Sequence, residues 1–123
     1  PDRESSAMVG IYEGKPDELP YLVPQEFGLR TDCRWVEFTD VKKGHVLRVE
    51  ADGCLLHMSA VHHSAHDLFA ASEHAELVRQ PALNVHLDIA HRGVGTASCG
   101  PDTLAKYLIA PGEYTFAYVV SYR

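Results

Sequence analysis

Cys33-Arg34-Trp35-Val36-Glu37-Phe38-Thr39 is the stretch on which the fold turns. It is rich in aromatic and β-branched residues and runs into Asp40, a turn former, which is how a half-buried strand reads. Lys42-Lys43-Gly44 follows, then a second run from His45 to Glu50. Two such runs around a short Gly-containing turn predict a β-hairpin. Asp52-Gly53 is the next turn signal and Cys54 to Val61 the next strand. Leu83, Val85, Leu87 and Ile89 alternate with Asn84, His86, Asp88 and Ala90, the clearest period-two pattern in the chain. Tyr114, Phe116, Tyr118 and Val120 alternate in the same way after Pro111-Gly112 and are expected to form a core face. Thr103 to Ile109 is a further expected strand, and Met8 to Glu13 a weaker one. Roughly seven short strands with regular turns make an antiparallel β-sandwich.

One helix interrupts this pattern. Ser64-Ala65-His66-Asp67 fits a capping box and Leu68, Phe69, Ala70 and Ala71 follow, so about two turns of helix are expected from Ser64. Gly14 to Arg30 holds Pro16, Pro20 and Pro24 and reads as a long irregular crossing,. His91 to Asp102 holds three glycines and a proline and reads as a second long loop. There is no internal repeat or low-complexity stretch.

With 123 residues the chain is expected to be a single module, 1–123,. An apolar fraction of 46% with 23% charged residues excludes a disordered chain,. Eleven basic and seventeen acidic residues give a net charge of −6, with no Lys/Arg cluster. That argues against nucleic acid and against a polybasic membrane patch, and no apolar run is long enough for a transmembrane helix or a signal peptide. Cys33, Cys54 and Cys99 are odd in number, widely spaced and without CxxC. They read as free thiols of a cytoplasmic protein, not a disulfide framework or a cysteine-rich zinc site. The chain opens Pro1-Asp2-Arg3 without an initiator Met, as a processed chain or a piece of a longer one does. Its terminal strand, Tyr114 to Tyr122, fits a native C-terminus.

Few residues suggest chemistry. His62, His63 and His66 have spacings that would point two imidazoles the same way on a helix,. Because Ser64 starts the helix, His62 and His63 lie outside it, and no metal site is expected. His57 and His86 are expected on polar strand faces, as are Glu37 and Asp88. A glycosidase needs two carboxylates flanking the sugar, and none here has a buried, paired context. Ser98-Cys99 has no evident base nearby and no G-x-S-x-G frame,. Gly93-Val94-Gly95 is too short for a dinucleotide fingerprint and leads into no helix,.

Two stretches go further. Pro20-Tyr21-Leu22-Val23-Pro24-Gln25-Glu26-Phe27-Gly28-Leu29-Arg30-Thr31-Asp32-Cys33-Arg34-Trp35 resembles the "PY-x-x-PQENG-x-RTD-x-RW" signature of large β-galactosidases. His91-Arg92-Gly93-Val94-Gly95-Thr96-Ala97-Ser98-Cys99-Gly100-Pro101-Asp102-Thr103 is similar to that family's "GVGGDDSWG-P" loop. Pro1-Asp2-Arg3 resembles the end of its "ENYPDR". The resemblance implies the C-terminal part of the terminal β-sandwich domain, of the small-chain type, in a glycoside hydrolase family 2 β-galactosidase. It would be part of a galactose-mutarotase-like supersandwich.

What the resemblance implies is concrete. The whole enzyme would hydrolyse terminal β-D-galactosides with retention, through carboxylates on a barrel that this chain does not match. Magnesium and sodium would be held by residues outside it, leaving no catalytic residue and no cofactor here, and the chain alone inactive. The partners implied are the rest of the enzyme chain, the galactoside and a homo-oligomer contact. In the family the Gly-x-Gly loop brings a tryptophan to the mouth of the active site. Here the loop is one residue shorter, with Cys99 near that place and Ser98 beside it. Cys99 and Ser98 are therefore the expected aglycone-side residues. Arg30, Asp32, Trp35, Gly93 and Gly95 are the structural signature, with an Arg–Asp pair and a buried Trp expected to hold the crossing segment. The alternative readings are a stand-alone carbohydrate-binding module, which needs a row of exposed aromatics, and an oligomer-contact domain.

Overall fold

A computed structural model describes residues 9–93 and 97–123. In chain order it contains β1 (Arg30–Cys33), β2 (Trp35–Asp40), β3 (His45–Asp52), β4 (Leu56–Val61), α1 (Ala65–Ala70), β5 (Asn84–Asp88) and β6 (Ala117–Tyr122). Two short 3-10 turns, His74–Glu76 and Ala105–Tyr107, complete the list for the described residues. The strands form two three-stranded sheets, in the orders β1-β4-β5 and β2-β3-β6. This is the all-β architecture expected from the alternation, with one short helix.

The hairpin forms where the sequence places it. β2 and β3 pair antiparallel from Trp35 opposite Glu50 to Asp40 opposite His45. Asp40 organises the turn: its Oδ1 accepts the amides of Lys42 and Lys43 at 3.0 and 3.2 Å, and its carbonyl accepts the amide of Gly44 at 2.7 Å. Gly44 has a φ of +71°, a left-handed conformation that glycine adopts without steric cost. β6 then pairs with the other side of β3, from Leu47 opposite Tyr122 to Asp52 opposite Ala117.

Residues directly opposite each other in an antiparallel pair share a face. One face of this sheet therefore carries Val36, Phe38, Leu47, Val49, Tyr118 and Val120. The other carries Trp35, Glu37, Arg48, Glu50, Val119 and Ser121. The period-two reading of Glu37 as a polar-face residue holds.

The helix also starts as expected. Ser64 Oγ accepts the Asp67 amide at 3.1 Å and the Asp67 carboxylate accepts the Ser64 amide at 3.1 Å, the reciprocal bonds of a capping box,. Leu68 is 2% exposed and its neighbour Phe69 89%, so α1 buries a single narrow stripe.

Several expectations fail. Thr103–Ile109 is not a strand: Thr103 is buried, and an exposed 3-10 turn follows over Ala105–Tyr107. Its β-favouring side chains find no partner strand among the described residues, and propensity without a partner does not make a strand. Residues 9–13 contain no strand, and Met8 lies outside the described residues. The terminal strand begins at Ala117 rather than Tyr114. Tyr114, Phe116, Tyr118 and Val120 share the expected periodicity but are exposed, not core. β1 and β2 are separate strands, because Asp32 takes a φ of +57° and the chain bends at Arg34 between them. Aspartate is among the few non-glycine residues that tolerate that conformation.

The chain divides into two compact regions. The first takes residues up to Thr31 together with Met58–Leu87. Phe27, Val61 and Leu68 form its core, with Leu19, Tyr21 and Leu77 packed around them. The second takes Asp32–His57 together with Asp88–Arg123. Its buried apolar residues are Val49 and Leu56. No helix among the described residues is long and apolar enough to cross a membrane.

Candidate functional site

The loop that begins at His91 belongs to the second region. Its two ends are tied together. Arg92 donates to Asp102 Oδ1 at 2.8 Å, and the same carboxylate oxygen accepts the Thr103 amide at 2.7 Å. The Thr103 hydroxyl donates to the Gly93 carbonyl at 2.8 Å, and the Gly93 amide donates to the Tyr107 carbonyl at 2.9 Å. The Thr103 amide and then the Arg92 guanidinium hold the Asp102 carboxyl below the usual carboxylate range. Gly93 is required by close approach: a Cβ there would lie 2.8 Å from the Tyr107 Cβ and 3.1 Å from the Thr103 Cγ2. The sequence singled out Gly93 as half of a Gly-x-Gly pair. Its closeness to Tyr107 has no signature in the sequence.

Beyond this neck the described residues 97–101 are open to solvent. Ala97, Ser98, Cys99 and Gly100 are all exposed, and Ser98 Oγ lies 3.9 Å from Cys99 Sγ. Ala97 takes a φ of +57°. Gly95 lies outside the described residues. The arrangement presents a small hydroxyl and a thiol from a pinned base. It brings no general base, carboxylate pair or aromatic face to Cys99 among the described residues.

The signature residues sit elsewhere, and Trp35 is less buried than expected. Arg30 and Asp32 are both exposed on β1. Trp35 is half-buried at the start of β2, and the Arg48 guanidinium lies 4.3 Å above its ring. The indole is thus held on the polar sheet face by a cation–π contact instead of being sunk in a core. Arg48 also bridges Glu37 and Glu50, each at 3.1 Å, and Arg123 reaches Glu37 at 3.2 Å. The hydrogen bonds to Glu50 and then Glu37 raise the Arg48 pKa. No sequence spacing pointed to Arg48.

In the first region a polar network fixes the irregular crossing. The two oxygens of Asp17 accept the His62 amide at 3.1 Å and Arg79 Nε at 2.8 Å. Burial pushes the Asp17 carboxyl up, but the Arg79 and His62 hydrogen bonds outweigh it and the net shift is downward. His62 Nδ1 lies 3.1 Å from the carbonyl oxygens of both Gln80 and Ala82. Carbonyls only accept, so Nδ1 carries the proton. Gln80 donates to Asp67 at 2.6 Å, joining the network to the helix cap. His62 is therefore a loop anchor. His66 is exposed. His57 lies on the face of β4 opposite the buried Leu56 and Met58, as expected, and His57 and His63 each keep a buried Nδ1 without a partner among the described residues. No group of three His, Cys, Asp or Glu side chains among the described residues is placed to hold a metal. Cys33 and Cys54 are half-buried free thiols, and Cys99 is an exposed one.

An all-β chain with a pinned Gly-rich loop and the Pro20–Trp35 signature belongs to a recognisable class. A family model described as the β-galactosidase small chain matches residues 1–120. The chain belongs to that family. It is 35% identical over 122 residues to a β-galactosidase of Arthrobacter sp. (strain B7), a match covering 94% of this chain and 12% of that relative. It is 31% identical over 124 residues to a β-galactosidase of Pseudoalteromonas haloplanktis, covering 98% of this chain and 11% of the relative. Over 79 residues it is 40% identical to a β-galactosidase of Lactobacillus delbrueckii subsp. bulgaricus, covering 63% of this chain and 8% of the relative. The chain thus spans about a tenth of the length of these relatives.

Proposed function

We propose that this chain is a terminal β-sandwich portion of a cytoplasmic β-galactosidase that cleaves terminal β-D-galactosides with retention, and that its 91–103 loop lines the aglycone side of the active site. The family match over residues 1–120 carries the reading. The loop geometry supports the finer part, because a neck fixed by Arg92–Asp102 and Gly93–Tyr107 gives the exposed Ser98 and Cys99 a defined base. Both catalytic carboxylates, and the magnesium and sodium ligands that the resemblance implies, would lie on polypeptide outside these 123 residues. The chain by itself is then a positioning and site-lining element without turnover.

A thiol at position 99 lacks the aromatic face that stacks on a pyranose. Such a face adds about 1 kcal/mol beyond area burial, by analogy with aromatic pairs, or roughly fivefold in binding, since about 1.36 kcal/mol is tenfold. Cys99→Trp in the full-length enzyme should therefore tighten glucose as an acceptor by a factor of a few. Galactosyl-enzyme formation from an activated aryl galactoside should stay nearly unchanged. A change confined to the aryl galactoside, or no change in either, removes the loop from the aglycone side.

One observation favours a second reading. Tyr114, Phe116 and Tyr118 form an exposed row, with Phe116 and Tyr118 stacked at 6.1 Å between ring centroids. A stand-alone sugar-binding module would use such a row. Saturable binding of galactose that Tyr118→Ala abolishes would favour this reading over the first.

A further inference from the structure

We propose that Thr103 is a positioning residue for the acceptor: its hydroxyl, by holding the Gly93 carbonyl, sets how the exposed 97–101 segment meets an incoming sugar. It thereby sets how much galactosyl passes to a sugar rather than to water. This rests on the reading of the loop as a lining of the aglycone side. Among the described residues Thr103 is the buried polar one, at 8% exposure, although Pro101, Asp102 and Leu104 around it are all exposed. Burying a hydroxyl costs free energy unless it is hydrogen-bonded. This one donates to the Gly93 carbonyl at 2.8 Å, so the bond is well placed to hold its geometry while the chain beyond it stays in water.

Thr103 acts on both ends of the loop. A carbonyl and its peptide link form one rigid plane, so the bond to Gly93 fixes the plane through which the chain leaves the neck. The Gly93 amide, donated to the Tyr107 carbonyl at 2.9 Å, fixes the plane before it. At the other end the Thr103 amide donates to Asp102 Oδ1 at 2.7 Å, and Arg92 holds the same oxygen at 2.8 Å. Cys99 lies four residues from Thr103 and six from Gly93, so a rotated plane at either end is carried to it through a short tether. In the step concerned, the bond between the galactosyl carbon and the enzyme carboxylate breaks and the carboxylate keeps the electron pair. The acceptor oxygen forms the new bond, and its proton passes to the base carboxylate. Both carboxylates would lie outside these 123 residues. Water reaches the galactosyl carbon without being oriented by the loop. A sugar hydroxyl has to be aimed, and a misplacement of about 1 Å can cost about a hundredfold.

The test is a product ratio in the full-length enzyme. An activated aryl β-galactoside is turned over with increasing glucose, and galactosyl-glucose and free galactose are separated by chromatography. The slope of their ratio against glucose counts only enzyme that turns over, so a loss of folded protein does not move it. Thr103→Val keeps the methyl against Gly93 and removes the donor; it should lower the slope at least threefold. Thr103→Ser keeps the donor and removes the methyl; it should stay within twofold of the unsubstituted enzyme. An unchanged slope in Thr103→Val, with only a lower yield of both products, would make Thr103 merely structural and overturn the proposal. A slope in Thr103→Ser as low as that in Thr103→Val would place the effect in packing and overturn it equally. Should Thr103→Val fail to fold, Asp102→Ala removes the tie on the Thr103 amide at an exposed position. It should lower the slope about twofold, and an unchanged slope there is again a refutation. Cys99→Trp in the same assay separates the two claims. Glucose capture that rises in Cys99→Trp but is untouched in Thr103→Val sinks only this inference, whereas no change in either sinks the aglycone-side reading itself.

Discussion

The two regions of the chain reverse the usual association between regular structure and a closed core. The first is built largely from irregular backbone, with a three-proline crossing, a six-residue helix and a 3-10 turn. Yet it encloses Phe27, Val61 and Leu68 and ties its loops with Asp17, His62 and Gln80. The second holds the longest and best-paired ladder, β2-β3-β6, yet every residue of β6 is exposed. Backbone hydrogen bonds exchange for bonds to water and contribute little net stability. Burial of apolar surface supplies the larger share. A regular sheet is therefore no measure of self-sufficiency, and the well-formed region is the one whose terminal strand is exposed.

The strongest way to break this contrast is through α1. Leu68→Ala should lower the unfolding free energy by about 2–5 kcal/mol, as buried Leu-to-Ala changes do. Phe69→Ala, one residue away and exposed, should stay within about 0.5 kcal/mol. Urea denaturation of both variants decides it, and comparable losses would mean that the first region has no discrete core.

The neck of the 91–103 loop is the next largest test, because it is a tightly closed feature of the less buried region. Gly93→Ala places a methyl against Tyr107 and Thr103 and should cost about 1–3 kcal/mol through overpacking. Thermal melts should show the loss, and amide exchange should rise at Gly93's partners before it rises in β3. A neutral substitution would mean that the neck is not packed.

Ser64→Ala removes the side-chain half of the capping box and should cost about 1 kcal/mol. Faster amide exchange confined to the first turn of α1 is the expected signature, and exchange that quickens equally in β6 would deny the regions their separate behaviour.

The smallest effect is acid sensitivity in the polar network. The folded pKa of Asp17 is lowered, below an unfolded value of about 3.9. Its stabilising contribution is thus present above that value and is lost as pH falls through the lower folded value. The His62 amide proton, which it accepts, should titrate by NMR with a midpoint below about 3.9. A midpoint at or above that value would remove the Arg79 and His62 bonds from the account.

Much of this organisation was legible in the sequence because it is local. The hairpin around Asp40 and Gly44, the Ser64–Asp67 cap and the alternation of β6 each depend on residues a few positions apart, where steric preference and side-chain period act directly. The Gly-rich loop and the Pro20–Trp35 signature likewise pointed to the family without reference to structure. What the sequence could not contain is which partners distant residues meet. The place of Trp35 beneath Arg48, the approach of Tyr107 to Gly93, the clasp of Asp17 on His62 and the failure of Thr103–Ile109 to pair all depend on chain segments brought together only by folding. Tyr114 to Tyr122 marks the boundary between the two kinds of knowledge. Alternation fixes which side chains share a face, because a strand has period two. Whether that face is core or surface depends on what packs against it, and tertiary structure alone decides that.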